Sequence, residues 1–278
     1  MQTLVVDSEI KQVQADDCLF SIRHDFLYQG KYLHFLGSGV ESPNMTALVS
    51  VYTNKGFVFG ADGRSIVGGV VERDDAQKIH GCRATNVRAL FGWSGSATFG
   101  NLRDDFDLQL NTLAILKGYE KVTFSNIAEY GYEIATTISA RMRSHLSKIS
   151  SKLDPSLREL ATLSFVGYVD GKPQSVQICL LAIDGFLDDP KISRSHYPPT
   201  PSLEVSSGCR TAYESYKTMV DRGEMLPCTT LVDGSALIQK YIQTCADEKT
   251  ESANPIGGHI HVAAITPYDS EWMVSPKP

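Results

Sequence analysis

The residues whose types could do chemistry begin at Thr46. They fall in four stretches: Met45-Thr-Ala-Leu-Val-Ser-Val51, Gly60-Ala-Asp-Gly-Arg-Ser65, Asp75-Ala-Gln-Lys-Ile79 and Trp93-Ser-Gly-Ser-Ala97. Asp62 lies sixteen residues after Thr46, and Lys78 thirty-two residues after it. A threonine hydroxyl is a poor nucleophile at neutral pH and needs a neighbouring base. A free α-amine, titrating at about 7.7–8.0, suits that task and lies within reach of its own side chain. An ammonium group nearby favours the alkoxide, and a carboxylate can hold that ammonium and compensate its charge. Taken singly, each residue also has a plain use: Thr46 as a β-former opening a strand, Asp62 in a turn, Lys78 as a surface charge.

The surrounding elements must bring these residues together. Ala47 to Tyr52 is β-branched and apolar, Asn54-Lys55-Gly56 is a turn, and Phe57 to Ala61 is again strand-like, so a β-hairpin is predicted. Arg88 to Trp93 is another apolar run, ended by Ser94-Gly95-Ser96. Leu108, Leu110, Leu113 and Leu116 mark one helix, and Ile127, Tyr130, Ile134, Ile138, Met142 and Leu146 a longer one. Strands return at 161–169 and 175–183, joined through Asp170-Gly171. A Pro- and Ser-rich loop over 190–202 precedes a strand at 203–206, helices at about 209–221 and 233–246, and strands near 259–266 and 271–274. Elements of one type grouped in runs imply stacked layers rather than alternating βαβ units. The expected class is α+β, with two sheets face to face and helices outside them in a four-layer αββα sandwich.

Composition narrows the function classes. The 278 residues are 42% hydrophobic and 21% charged, and the net charge of −6 disfavours a nucleic-acid partner, which would need a basic surface. The N-terminus lacks a basic region followed by a long apolar stretch, and no apolar run is long enough to span a membrane, so a cytoplasmic protein is expected. Six scattered cysteines without a C-x-x-C pair fit reduced thiols, and no His/Cys/carboxylate group has metal-ligand spacing. The first 45 residues read differently from the rest: 15–36 mix charge and aromatics without clear periodicity, and Gly37-Ser-Gly39 to Ser42-Pro-Asn44 is a run of turn residues. They are read as an N-terminal extension or propeptide, with 46–278 as the main domain.

The four stretches resemble the proteasome β-subunit and HslV-type peptidases, members of the N-terminal nucleophile hydrolases. The order of helices and strands is similar from Thr46 to near Thr266. The resemblance implies that Thr46 becomes a chain terminus, with its own amine as base and Asp62 and Lys78 as charged partners. It implies that the backbone N–H of Gly95, in the turn Ser94-Gly95-Ser96-Ala97, points at the developing oxyanion. Ser207, in Ser207-Gly208, matches a support of the terminal amine. Arg64 matches an arginine often found two residues after the aspartate; Arg64, Ile66, Trp93 and Ala97 fall where substrate is held, and Trp93 would narrow the main specificity pocket. A peptide or protein substrate, a homo-oligomeric ring, an unfoldase or regulator of unknown identity, and no metal or organic cofactor are likewise implied.

Two features depart from the pattern. The late Gly257-Gly258 is present, but Ala253 or Asn254 stands where an aspartate is expected and Ile256 where a serine is expected. Met45 also replaces the glycine that usually precedes the threonine in self-cleaving precursors. Two routes to a free Thr46 remain: self-cleavage of a 45-residue propeptide, or a true start at Met45 followed by methionine removal. The start Met45-Thr-Ala-Leu-Val-Ser-Val is similar to HslV-type chains and favours the second slightly. Three functions stay open: a threonine peptidase, a catalytically silent proteasome-like subunit with an assembly role, and an N-terminal nucleophile hydrolase of small amides.

Overall fold

The computed structural model describes residues 46–67, 70–95, 98–99, 106–148, 153, 159–197, 199, 203–208, 210–222, 228–247 and 256–276. The extension at 1–45, Ala97 and Ala253 lie outside the described residues.

The first hairpin forms where two apolar runs, buried on both faces, flank a turn. Strands β1 (Leu48–Thr53) and β2 (Gly56–Ala61) pair antiparallel, and the Thr53 hydroxyl accepts from the backbone N–H groups of Lys55 and Gly56. Gly56 sits at φ +149°, where a Cβ would lie 2.3 Å from the carbonyl oxygen of Ile265. A second hairpin follows in β3 (Ser65–Val67) and β4 (Val70–Arg73). After it come β5 (Ile79–Arg83), β6 (Val87–Gly95) and the short pair β7 (Thr98–Phe99) and β8 (Phe106–Asp107).

Helix α1 (Leu108–Gly118) starts at Asp107, whose side chain accepts from Leu110 N at 2.8 Å. At the start of helix α2 (Ile127–Lys148), Asn126 Oδ1 accepts from Glu129 N of the first turn, and the Glu129 carboxylate reaches back to accept from Ser125 N ahead of the helix. Its buried residues, Ile127, Tyr130, Ile134, Ile138 and Met142 among them, follow the helical period and face strands β9 (Glu159–Val169) and β10 (Lys172–Ile183). Then come β11 (Phe186–Leu187), β12 (Lys191–His196), β13 (Leu203–Ser207), α3 (Arg210–Asp221), α4 (Leu231–Asp247), β14 (His261–Ile265) and β15 (Ser270–Val274).

The strands make two main sheets with antiparallel pairings. One has the order β13-β1-β2-β14-β15; the other has β11-β10-β9-β6-β5, with β12 also paired to β10. The described residues thus form a mixed α/β fold of mostly antiparallel sheets with four helices. Apolar side chains gather in three clusters. One joins α1 and α2 to β6, β9 and β10; a second joins α3 and α4 to β1, β2 and β14. The third contains Leu48, Phe57, Phe59 and Ala263 from one sheet with Ile79, Leu90, Val166 and Tyr168 from the other.

Seven strands among the described residues, β3, β4, β5, β7, β8, β11 and β12, are absent from the sequence reading. The segment read as a loop over 190–202 contains β12, because Lys191, Arg194 and His196 occupy an exposed sheet edge, where polar residues do not alternate with core residues. Strands β3 and β4 were not anticipated either; β4 is exposed at every position, so no buried face marks it.

Candidate active site

Each of the three residues singled out at the start adjoins the apolar cluster between the sheets. Asp62 follows Ala61, Lys78 precedes Ile79, and Thr46 stands two residues before Leu48; Ala61, Ile79 and Leu48 all belong to that cluster. Burial of these neighbours fixes where the polar side chains emerge. Thr46, Asp62 and Lys78 are themselves buried, at 5%, 0% and 6% exposure.

The ends of β1 and β2 stay tied beyond the last ladder pair. Asp62 N donates to the Ala47 carbonyl at 3.1 Å, and Ala47 N donates to Asp62 Oδ1 at 2.9 Å. Asp62 Oδ2 accepts from Arg64 N and Gly257 N, each at 3.2 Å. Lys78 Nζ then donates to Asp62 Oδ1 at 3.0 Å and to Thr46 Oγ1 at 3.1 Å. Four donors thus converge on one carboxylate, and the ammonium it holds touches the threonine hydroxyl.

Burial pushes the Asp62 carboxyl above its ordinary range, opposed by Lys78 and by the backbone N–H groups. Burial pushes the Lys78 amine below its ordinary range, opposed by Asp62 and assisted by Arg64. A buried charge without a partner is costly, so each group keeps its charge through the other. A lysine held this way is a short-range positive charge aimed at the Thr46 oxygen, and its proton is more easily given up than that of a surface lysine.

Gly257-Gly258 does more here than close a turn. Gly63 N donates to the Gly257 carbonyl at 3.1 Å, and His259 N donates to the Asp74 carbonyl at 2.6 Å. A Cβ on Gly257 would lie 2.8 Å from Cζ of Arg64. The Arg64 side chain runs to Asp74, with Nε 2.7 Å from Oδ1. Gly257 as a backbone partner of Asp62 escaped the sequence reading, although the Gly-Gly pair itself was visible; a main-chain donor has no side-chain signature.

The other candidates are distributed as follows. The Ser207 hydroxyl donates to the Thr46 carbonyl oxygen, so it holds the backbone of Thr46. Gly95 closes β6 at φ +103°, and a Cβ there would lie 2.5 Å from the Leu160 carbonyl oxygen, so both conformation and space demand glycine. Trp93 lies in the helix-side cluster at 4% exposure, its ring stacked on His80 at 5.7 Å and on Phe91 at 5.9 Å. Ile66 lies in β3, half-buried, and Arg64 precedes that strand. Ile256, in the place of the expected serine, is buried in the cluster beneath α4. Among the described residues no group of three or more His, Cys, Asp or Glu side chains could hold a metal ion, and no helix is long and apolar enough to cross a membrane.

No family model matches the chain, and no curated protein matches it. Solved structures do. An Anbu (Gly-1) mutant from Hyphomicrobium sp. strain MC1 is 16% identical at a TM-score of 0.51, over 83% of this chain and 87% of that one. Anbu from Yersinia bercovieri, described as an ancestral β-subunit, is 13% identical at a TM-score of 0.51, over 82% of this chain and 87% of that one. This chain has an Anbu-like fold. At such identities the likeness concerns the fold alone.

Proposed function

We propose that the protein is a threonine-type peptidase of proteasome/HslV kind, with Thr46 as its nucleophile once the bond from Met45 to Thr46 is broken. The observation that carries this reading is the contact of one buried ammonium, Lys78 Nζ, with both Thr46 Oγ1 at 3.1 Å and Asp62 Oδ1 at 3.0 Å. Nothing in the packing of a strand end requires a lysine to bridge a carboxylate and a hydroxyl inside the protein. A bridging pair of this kind costs desolvation that an apolar filling would not.

In this reading the terminal amine of Thr46 takes the hydroxyl proton as Oγ1 adds to the scissile carbonyl carbon. Lys78 stabilises the developing alkoxide, and the backbone N–H of Gly95 donates to the oxyanion. The proton passes to the departing amine as the C–N bond breaks, leaving an ester on Thr46. Water then adds to that ester carbonyl with the same amine as base, releasing the acid and restoring the hydroxyl. No metal or organic cofactor enters, because the amine does the base work.

The same reading takes residues 1–45 as an extension removed from 46–278, and the fold as the four-layer αββα sandwich of N-terminal nucleophile hydrolases. Three separate apolar clusters, one on each side of the paired sheets and one between them, support that layering. A homo-oligomeric ring in the cytoplasm acting on peptides completes the proposal. Its test is the mature N-terminus together with fluorogenic peptides. The purified protein should begin at Thr46 by intact mass, hydrolyse peptides, and lose that activity in Thr46→Ala. Retention of residues 1–45 in the native assembly, or full activity in Thr46→Ala, would overturn it.

A further inference from the structure

The space between the two sheets is not uniform. Beside the apolar cluster, strand β13 is joined to the opposite sheet by side-chain hydrogen bonds. Ser164 of β9 donates to Ser206 Oγ at 2.7 Å, and Gln177 Nε2 of β10 donates to the same oxygen at 3.0 Å. Two residues earlier, Glu204 accepts from Ser175 Oγ of β10 at 3.1 Å and pairs with His196 Nδ1 of β12 at 3.4 Å. Ser164, Ser175, Gln177 and Glu204 are all buried.

Ser206 is also where the ladder is irregular. Val51, Ser50 and Val49 of β1 lie opposite Leu203, Glu204 and Val205, but Leu48 lies opposite Ser207, so Ser206 is an extra residue on β13. Side chains alternate along a strand, and regular continuation would send Ser207 to the face of Leu203 and Val205, which pack against the helices. The bulge instead puts Ser207 opposite Leu48, at the mouth of the site, where its hydroxyl reaches the Thr46 carbonyl. A bulge leaves its extra residue without a ladder partner, and here two side chains from the other sheet hold it.

We infer that Ser206, pinned by Ser164 and Gln177, is a positioning residue: it holds the bulge that aims Ser207 and so fixes the backbone of Thr46 for attack. The inference rests on the peptidase reading above for its kinetic consequence, but the local geometry it describes does not depend on activity. Ser206 touches neither substrate nor the reacting atoms; it acts through Ser207.

The test uses the full chain as purified, with Ser206→Ala, Gln177→Leu and the hydroxyl-retaining Ser206→Thr. Steady-state hydrolysis of a fluorogenic peptide is measured beside hydrogen exchange followed by mass spectrometry. Misplacement of a nucleophile by a fraction of an ångström costs about tenfold to hundredfold in rate, so Ser206→Ala and Gln177→Leu should lower kcat by about that factor with KM nearly unchanged. Exchange should quicken in the segments 46–50 and 203–208 but not in α2 or β9, and Ser206→Thr should behave as wild type. Wild-type kcat and wild-type protection in both disruptive variants would overturn the inference, as would a loss of protection spread evenly over the fold. If the wild type hydrolyses no peptide, the peptidase reading fails on its own. Exchange then decides: faster exchange confined to the two segments supports the positioning role, and unchanged exchange overturns it.

Discussion

The two halves of the space between the sheets solve one problem by different means. Under β1, β2 and β14 the sheets meet through Leu48, Phe57, Phe59, Ile79, Leu90 and Val166, a contact without direction that tolerates small shifts. Under β13 they meet through Ser164, Ser175, Gln177, Glu204 and Ser206, where each bond requires one geometry. The first half supplies most of the free energy. The second supplies less but sets the register of an edge strand, which apolar contact alone would leave free to slip. Thr46 stands where the halves join: Lys78 and Asp62 rise from the apolar side, and Ser207 comes from the polar side.

The largest effect should come from the apolar half. Phe59 is fully buried, with its ring against Gly92, and Phe59→Ala should lower unfolding free energy by about 3–5 kcal/mol in a denaturant titration. A loss under about 1 kcal/mol there would break the contrast between the halves.

Next comes the polar exception inside the apolar half. His261 lies opposite Ala61, fully buried, with neither ring nitrogen hydrogen-bonded. Burial pushes its pKa down to about 4 from 6.5, with His259, Lys78 and His80 pushing the same way and Asp75 opposing them. The unfolded chain therefore binds this proton first as the pH falls. Stability from this group is complete above pH 6.5, is lost on the way down to about pH 4, and the whole loss is about 3 kcal/mol. His261→Leu should flatten that part of the stability profile, measured by urea titrations from neutral pH to pH 4; an unchanged slope would assign the loss to other groups.

A smaller effect is expected for Gly92→Ala, whose methyl would lie 2.9 Å from Leu48 and 3.1 Å from Phe59. Overpacking of this kind costs about 1–3 kcal/mol and would show as a lowered Tm. The smallest belongs to the polar half: Ser175→Ala removes a hydroxyl from Glu204 and should cost about 1 kcal/mol, with faster exchange confined to β13. A global destabilisation as large as that of Phe59→Ala would show that the polar half is the energetic core instead.

Much of the fold was legible in the sequence because its elements carry strong local signals. The hairpin of β1 and β2 shows apolar strands around Asn54-Lys55-Gly56, and α2 shows its buried residues at helical intervals. Strands β4 and β12 were missed because they are largely exposed, and an exposed strand needs no apolar alternation; β3 was missed because only three residues mark it. Thr46, Asp62 and Lys78 were singled out through their types and a spacing that resembles a known family, whereas Gly257 bonds Asp62 through a backbone N–H that any residue but proline possesses.

The sequence by itself determined the four helices and the long apolar strands, and which polar residues stand beside buried ones at strand ends, since both follow from periodicity and burial along the chain. Only the tertiary structure decided that a lysine thirty-two residues from a threonine meets its hydroxyl, and that one extra residue in β13 turns Ser207 toward the Thr46 carbonyl. Those facts depend on the register between strands and on hydrogen bonds between sheets. A chain read in one dimension carries no direct record of either, because the partners are set by packing and not by neighbours in sequence.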